Sequence, residues 1–174
     1  MEETTVRQRA VNNLIKLSEN DPETFCKNCL FLTIKKFAAW NNYTNKVSAA
    51  TLIPICYPHV TDEQKKELVK VFIALTKHDM PMVRRACASS IDRMSKLIPQ
   101  ESVKEDIYPL YEILMKDKRD SVKIKAIESS LGIIEIFRDQ GLVGKFMELV
   151  KKADERKMKW RVRYAIGETL CHFC

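Results

Sequence analysis

Leu30, Thr33, Ile34 and Phe37 stand at i, i+3, i+4 and i+7, a spacing that lays four side chains along one face of a helix. The figure recurs at Leu68, Val71, Phe72 and Leu75, at Ile107, Leu110, Tyr111 and Leu114, and at Phe146, Leu149, Val150 and Ala153. The steps are 38, 39 and 39 residues. A second pattern lies between the quartets. "VRQRAVNNL" begins at Val6, "NKVSAATLI" at Asn45, "VRRACASSI" at Val83, "VKIKAIESS" at Val122 and "VRYAIGETL" at Val162, with steps of 39, 38, 39 and 40 residues. Each such segment carries a basic residue second (Arg7, Lys46, Arg84, Lys123, Arg163) and a small or apolar residue fifth (Ala10, Ala49, Cys87, Ala126, Ile166). Two independent patterns with one period mark an internal repeat.

Each unit reads as a helical hairpin: a first helix with the quartet, a turn, and a second helix with the Val–Arg pattern. Polar stretches at 40–45, 77–81, 116–120 and 154–158 supply the turns within hairpins, and 58–64 and 99–105 separate consecutive ones. Thr61 and Gln64 are spaced as a capping box. Pro81 suits the first turn of a helix capped by Asp79 or Met80. Pro109 predicts a kink or a late start in its helix, and Pro54 and Pro58 predict a shortened second helix. One hairpin cannot bury both its apolar faces, so the expected fold is all-α, a right-handed α-solenoid of stacked hairpins of about 39 residues. The expected division is a second helix over 1–20, then repeats over 21–59, 60–98, 99–138 and 139–174. With no polar capping repeat at either end, the chain is expected to be a segment of a longer scaffold.

Hydrophobic residues at 45% and charged residues at 30% fit a folded domain rather than a disordered one. No apolar run approaches the roughly 20 residues needed to span a bilayer, and no signal-peptide pattern opens the chain, so a cytosolic or nuclear location is expected. The pairs Cys26/Cys29 and Cys171/Cys174 have C-x-x-C spacing, which in zinc ribbons joins two such pairs in a loop-rich fold. Here they fall inside helical patterns at opposite ends of the chain. Cysteine in a reducing compartment behaves mostly as a small core residue, so neither metal nor disulfides are expected. No catalytic triad or phosphate-binding motif is present, and His59, His78 and His172 are scattered; no enzymatic activity and no cofactor are expected. The formal net charge of +7 fits an acidic protein partner, a membrane surface or nucleic acid.

Arg84 and Arg85 follow Pro81 at a helix start, where the macrodipole disfavours cations. A basic residue at the second position could pair with a carboxylate of a neighbouring hairpin and hold the stack in register. One ladder position cannot use both arginines. Arg84 shares the ladder phase, which leaves Arg85 for a partner, where a planar guanidinium grips carboxylates in pairs. Trp160 in "KWRVR" either packs on its own hairpin or anchors a partner, since Trp and Arg are enriched in interface hot spots. A lone turn aromatic such as Tyr43 is weaker evidence.

The run "SAATLIPICYPHVTDEQKKELVKVFIALTKHDMPMVRRACAS", with "KEDIYPLYEILMKDKRDSVKIKAIES" and "KMKWRVRYAIGETL", resembles consecutive units of the scaffold (structural regulatory) subunits of protein phosphatase 2A, a HEAT-repeat family. The resemblance implies a horseshoe of such repeats without catalytic chemistry. Its turns would form a ridge docking exchangeable regulatory B subunits and, elsewhere in a full-length protein, the phosphatase catalytic subunit. Carried over residue by residue, the ridge comprises Asn42, Tyr43, His78, Asp79, Pro81, Arg84, Arg85, Lys118, Asp120, Lys159, Trp160 and Arg161. The sequence departs from the family where Asn42 stands for a turn tryptophan and Trp40 lies two residues earlier. The alternative is a HEAT-like nucleic-acid binder or DNA glycosylase using the basic helices. Against it, acidic residues such as Asp79, Glu128 and Glu168 interleave with the basic ones.

Overall fold

Helix starts follow side chains that can occupy otherwise unbonded backbone N–H groups. The computed structural model describes residues 2–99, 102–137, 144, 147–148, 151 and 159–171, and its elements among them are all helical. The chain divides into two compact units, Met1–Cys87 and Ala88–Cys174.

The first unit opens with α1 (Glu2–Asn20) and the short α2 (Pro22–Phe25), capped by Asp21, whose Oδ1 accepts from Thr24 N at 3.3 Å. A π turn (Cys26–Leu30) leads into α3 (Phe31–Ala39), and α4 (Tyr43–Cys56) follows. Then comes α5 (Asp62–Thr76) behind the predicted capping box: Gln64 N donates to Thr61 Oγ1 at 3.3 Å and Thr61 N to Gln64 Oε1 at 3.2 Å. The Gln64 amide also donates to the Lys27 carbonyl at 3.3 Å, so one side chain caps a helix and ties it to the preceding π turn. Within this unit α3 packs on α4 and α5, and α4 packs on α1. The quartet helices thus meet one another, as do the helices of the second pattern. Leu30, Ile34, Leu68 and Phe72 are fully buried between them, with Leu52 and Ile53 of α4.

Helix α6 (Pro81–Leu97) begins at Pro81 as predicted, with Val83 N and Arg84 N donating to the Met80 carbonyl. The unit boundary falls inside it. In the second unit a π turn (Val103–Ile107) precedes α7 (Tyr108–Met115), followed by α8 (Asp120–Glu128), α9 (Ser130–Phe137) and α10 (Trp160–Cys171). Helix α8 packs on α7 and, most extensively, on α10. Ile127 and Ile134 there join Val162, Ala165 and Ile166 in one buried cluster, with Tyr108 and Ile124 against it. The second-pattern helices also meet through hydroxyls. Ser129 Oγ donates to the Ala88 carbonyl at 2.8 Å. Thr169 Oγ1, which donates to its own helix at Ala165 O (2.8 Å), lies 3.5 Å from the Ile127 carbonyl. Ser129 and Thr169 are both eighth in their segments, and Ala88 and Ile127 are both sixth in the preceding ones.

Three local expectations fare differently. Pro109 marks a change of helix type more than a start: the chain is helical from Ser102, runs through the π turn Val103–Ile107 and becomes α-helical at Tyr108, one residue before the proline. Pro54 does not shorten its helix. It lies buried inside α4, two residues from the end, and forfeits one bond of the last turn, the one its N–H would have made to the Ala50 carbonyl; the chain leaves α-helix at the 3₁₀ turn Tyr57–His59, which contains Pro58. The second helix over 120–137 is interrupted at Ser129, which the periodicity did not predict. Ser130 Oγ bonds back to Ala126 O at 3.2 Å, and such serine pairs followed by glycine bend helices. Gly132 fits here because a Cβ would fall 1.4 Å from Asp92 Oδ1. The fourth quartet, Phe146, Leu149, Val150 and Ala153, and the turn at 154–158 lie outside the described residues.

Candidate protein-binding turns

In the first unit the turn after α3 is closed from both sides. Asn42 caps α4, its Oδ1 accepting from Thr44 N at 3.0 Å and from Thr44 Oγ1 at 2.8 Å. Lys46 Nζ reaches back to the Ala38 carbonyl at 3.0 Å, at the negative end of α3. The departure at Asn42 therefore has a structural use: an amide caps the helix where a tryptophan could not. Trp40 stands beside it, 56% exposed, its ring centroid 6.2 Å from that of Phe37, and Tyr43 is exposed as well.

The next turn, between α5 and α6, is organised by Arg84. Its guanidinium donates from Nη1 to the carbonyls of His78 (2.8 Å) and Asp79 (2.7 Å). Met80 N donates to His78 Nδ1 at 3.0 Å, which makes Nδ1 an acceptor and puts a neutral ring's proton on Nε2. An arginine at a helix start is thus stabilised by carbonyls of its own turn, in the same sense as Lys46 at Ala38. Two second-position cations clamp their own hairpins. Pro81 fixes the first turn of α6 between Met80 and Met82, both exposed, while Arg85 is half-buried and not a free cation.

In the second unit the turn after α7 is held by Asp117, whose Oδ1 accepts from Arg119 N at 2.8 Å. Lys118 projects from it, exposed. Asp120, the first residue of α8, receives Lys159 Nζ at 2.7 Å. That hydrogen bond, opposed by partial desolvation and reinforced by the charges of Lys159, Lys123 and Arg161, holds the Asp120 carboxyl below the usual carboxylate range. The Lys159 carbonyl accepts from Val162 N and Arg163 N and so starts α10. Trp160 then stands 69% exposed, with the Arg161 guanidinium 5.4 Å from its ring. Trp160 is thus exposed and not packed against its own hairpin.

The sequence-derived residues therefore fall into three groups. Asn42 and Tyr43 share one turn; His78, Asp79, Pro81, Arg84 and Arg85 share the next; Lys118, Asp120, Lys159, Trp160 and Arg161 belong to the second unit, where Lys159 bridges to Asp120. Sequence reasoning passed over Met80 and Met82, although two methionines flanking a turn proline are adaptable contact side chains. It also missed the turn-clamping role of Lys46 and Arg84, because carbonyl acceptors have no residue signature. Among the described residues no group of three or more His, Cys, Asp or Glu is placed to hold a metal ion, and no helix is long and apolar enough to cross a membrane.

Comparison with known proteins gives a consistent set of names. A probable serine/threonine-protein phosphatase PP2A regulatory subunit of Caenorhabditis elegans is 30% identical over 158 residues, covering 91% of this chain and 25% of that protein. The protein phosphatase 2A scaffold subunit of Dictyostelium discoideum is 34% identical over 110 residues, 63% of this chain and 19% of its own length. A PP2A regulatory protein of the same kind from Saccharomyces cerevisiae is 27% identical over 179 residues, 96% of this chain and 28% of its own. The chain thus spans about a quarter of the length of these relatives. No family model matches it.

Proposed function

We propose that this chain, a homologue of the protein phosphatase 2A scaffold subunits, is a non-catalytic piece of such a scaffold, built of right-handed HEAT hairpins divided near residues 20, 59, 98 and 138. Its turns dock regulatory B subunits, and in a full-length scaffold the array also helps to hold the phosphatase catalytic subunit, in the cytosol or nucleus. One observation carries this reading: Trp40, Tyr43, Met80, Met82 and Trp160, all exposed, lie at turns between helices or in the first helical turn after them. Aromatic and methionine side chains held on rigid turns, with arginine and lysine beside them, have the composition of protein interfaces.

The test is a binding titration of the chain against purified phosphatase B subunits, with single- and double-stranded nucleic acid as competing ligands. Saturable B-subunit binding that Trp160→Ala weakens by about 1–3 kcal/mol supports the reading. Binding to nucleic acid with a steep salt dependence, and none to B subunits, overturns it.

A further inference from the structure

Ser121 lies in an inner hairpin, exposed as the second residue of α8, a helix packed on both α7 and α10. Of all the serines and threonines in the chain, it alone has a cation both three and two positions before it, Lys118 and Arg119. Ser18, Ser48 and Ser95 each follow a cation by two positions, and all are buried. Lys118 and Arg119 are exposed in the turn before α8, and the backbone of Arg119 is extended. Asp120, the acid between Arg119 and Ser121, is occupied by Lys159 Nζ at 2.7 Å and so offsets little of their charge. The charges of Lys123 and Arg161 reach the same carboxylate, which gathers further cations around this one hydroxyl.

We propose that Ser121 is a phosphorylation site for a protein kinase that reads basic residues on the N-terminal side of its target. The Ser121 hydroxyl oxygen attacks the γ-phosphorus of ATP and loses its proton as the new O–P bond forms; the bond to ADP breaks and ADP departs. Val122 beside it is fully buried, so the kinase has to loosen the first turn of α8. The bonds given up are those of Val122 N (3.0 Å) and Lys123 N (3.2 Å) to the Arg119 carbonyl. The product places a charge of about −1.5 to −2 among these cations. Lys159, largely exposed, can then turn from Asp120 to the phosphate, and Arg119 and Arg161 carry the planar forks that grip phosphate oxygens in pairs. Lys118, Asp120, Lys159, Trp160 and Arg161 are also candidate docking residues, so modification lowers the positive charge offered to a B subunit. That consequence rests on the proposed function, whereas the modification itself does not.

Phosphate incorporation into the folded 174-residue chain tests this, with magnesium-ATP and the purified catalytic subunit of the cyclic-AMP-dependent kinase as the probe. Peptide mapping should place the phosphate on Ser121. Ser121→Ala and Arg119→Ala, each shown to fold by a circular dichroism melt, should take up phosphate at least roughly tenfold more slowly. The second variant keeps the hydroxyl and loses a cation that the kinase reads. Phosphorus NMR should then give the phosphoserine a lower titration midpoint in the folded chain than in urea, because the assembled cations favour its dianion. No incorporation, phosphate mapped to other residues, an Arg119→Ala chain labelled as fast as the wild type, or a folded midpoint at or above the unfolded one overturns the proposal. No arm of the experiment contains a phosphatase subunit, so its failure leaves B-subunit docking standing.

Discussion

Lys159 Nζ sits 2.7 Å from Asp120 Oδ2, joining the residue that precedes α10 to the first residue of α8. Because the carboxyl is held below its ordinary range chiefly by this bond, Lys159→Ala should raise the Asp120 titration midpoint, read by carboxyl carbon NMR. A depressed folded-state value means that the contribution to stability is present above the unfolded-state value. It is lost as pH falls through the folded-state value. With Lys159 largely exposed, added salt should weaken the pair. A midpoint that ignores both the substitution and the salt would place the lysine elsewhere in solution.

The two neighbouring arginines should separate by phenotype. Arg84→Ala removes both donors to the carbonyls of His78 and Asp79 and should destabilise the chain by about 1–3 kcal/mol, the usual scale for charge-assisted hydrogen bonds. Arg84→Lys should recover part of that, since an ammonium reaches one carbonyl more readily than two. Arg85→Ala should instead weaken binding of a B subunit by about 1–3 kcal/mol, with a smaller effect on the melt. Denaturant melts alongside binding titrations discriminate; equal destabilisation by both, with binding unchanged, makes the pair purely structural.

Val83 is fully buried at the start of α6. Val83→Asp places a carboxylate there without a partner and should cost at least about 3 kcal/mol. Urea unfolding should show the loss as a lower midpoint, and a midpoint within error of the wild type would contradict the burial.

Cysteine chemistry offers a direct readout of packing. Cys26, Cys56 and Cys87 are buried thiols, while Cys29 and Cys171 are exposed. Burial pushes the Cys87 thiol up to about 12 and raises Cys26 and Cys56 too, so little thiolate exists at mildly alkaline pH. Brief alkylation should label Cys29 and Cys171 and spare the three buried positions until denaturant is added. Peptide mapping that finds Cys87 modified in the native chain would show that α6 opens easily.

The elements most legible in the sequence were those written in side chains. The first three quartets, the Thr61–Gln64 box and Pro81 each name a residue type that suits one place in a helix and few others. What stayed hidden was written in the backbone. The π turns at Cys26–Leu30 and Val103–Ile107 follow no side-chain periodicity, and the tolerance of α4 for Pro54 depends on how close that residue lies to the helix end. The turns were legible in position and partly in composition. The job of Arg84 was not, because a guanidinium beside a turn fits a carboxylate or a carbonyl equally well on paper, and only the path of the chain decides.

Ser129 and Thr169 approach the carbonyls of neighbouring helices as uncharged groups, in a part of the second unit that is closed to water. Attractions of this kind do not answer to ionic strength or to ordinary shifts in acidity, whereas the cations and carboxylates at the turns do. The buried hydroxyl contacts and the charged groups at the turns therefore respond to different conditions. A change of salt or pH acts on the turn charges, the Lys159–Asp120 pair included, and leaves the hydroxyl contacts of Ser129 and Thr169 as they are.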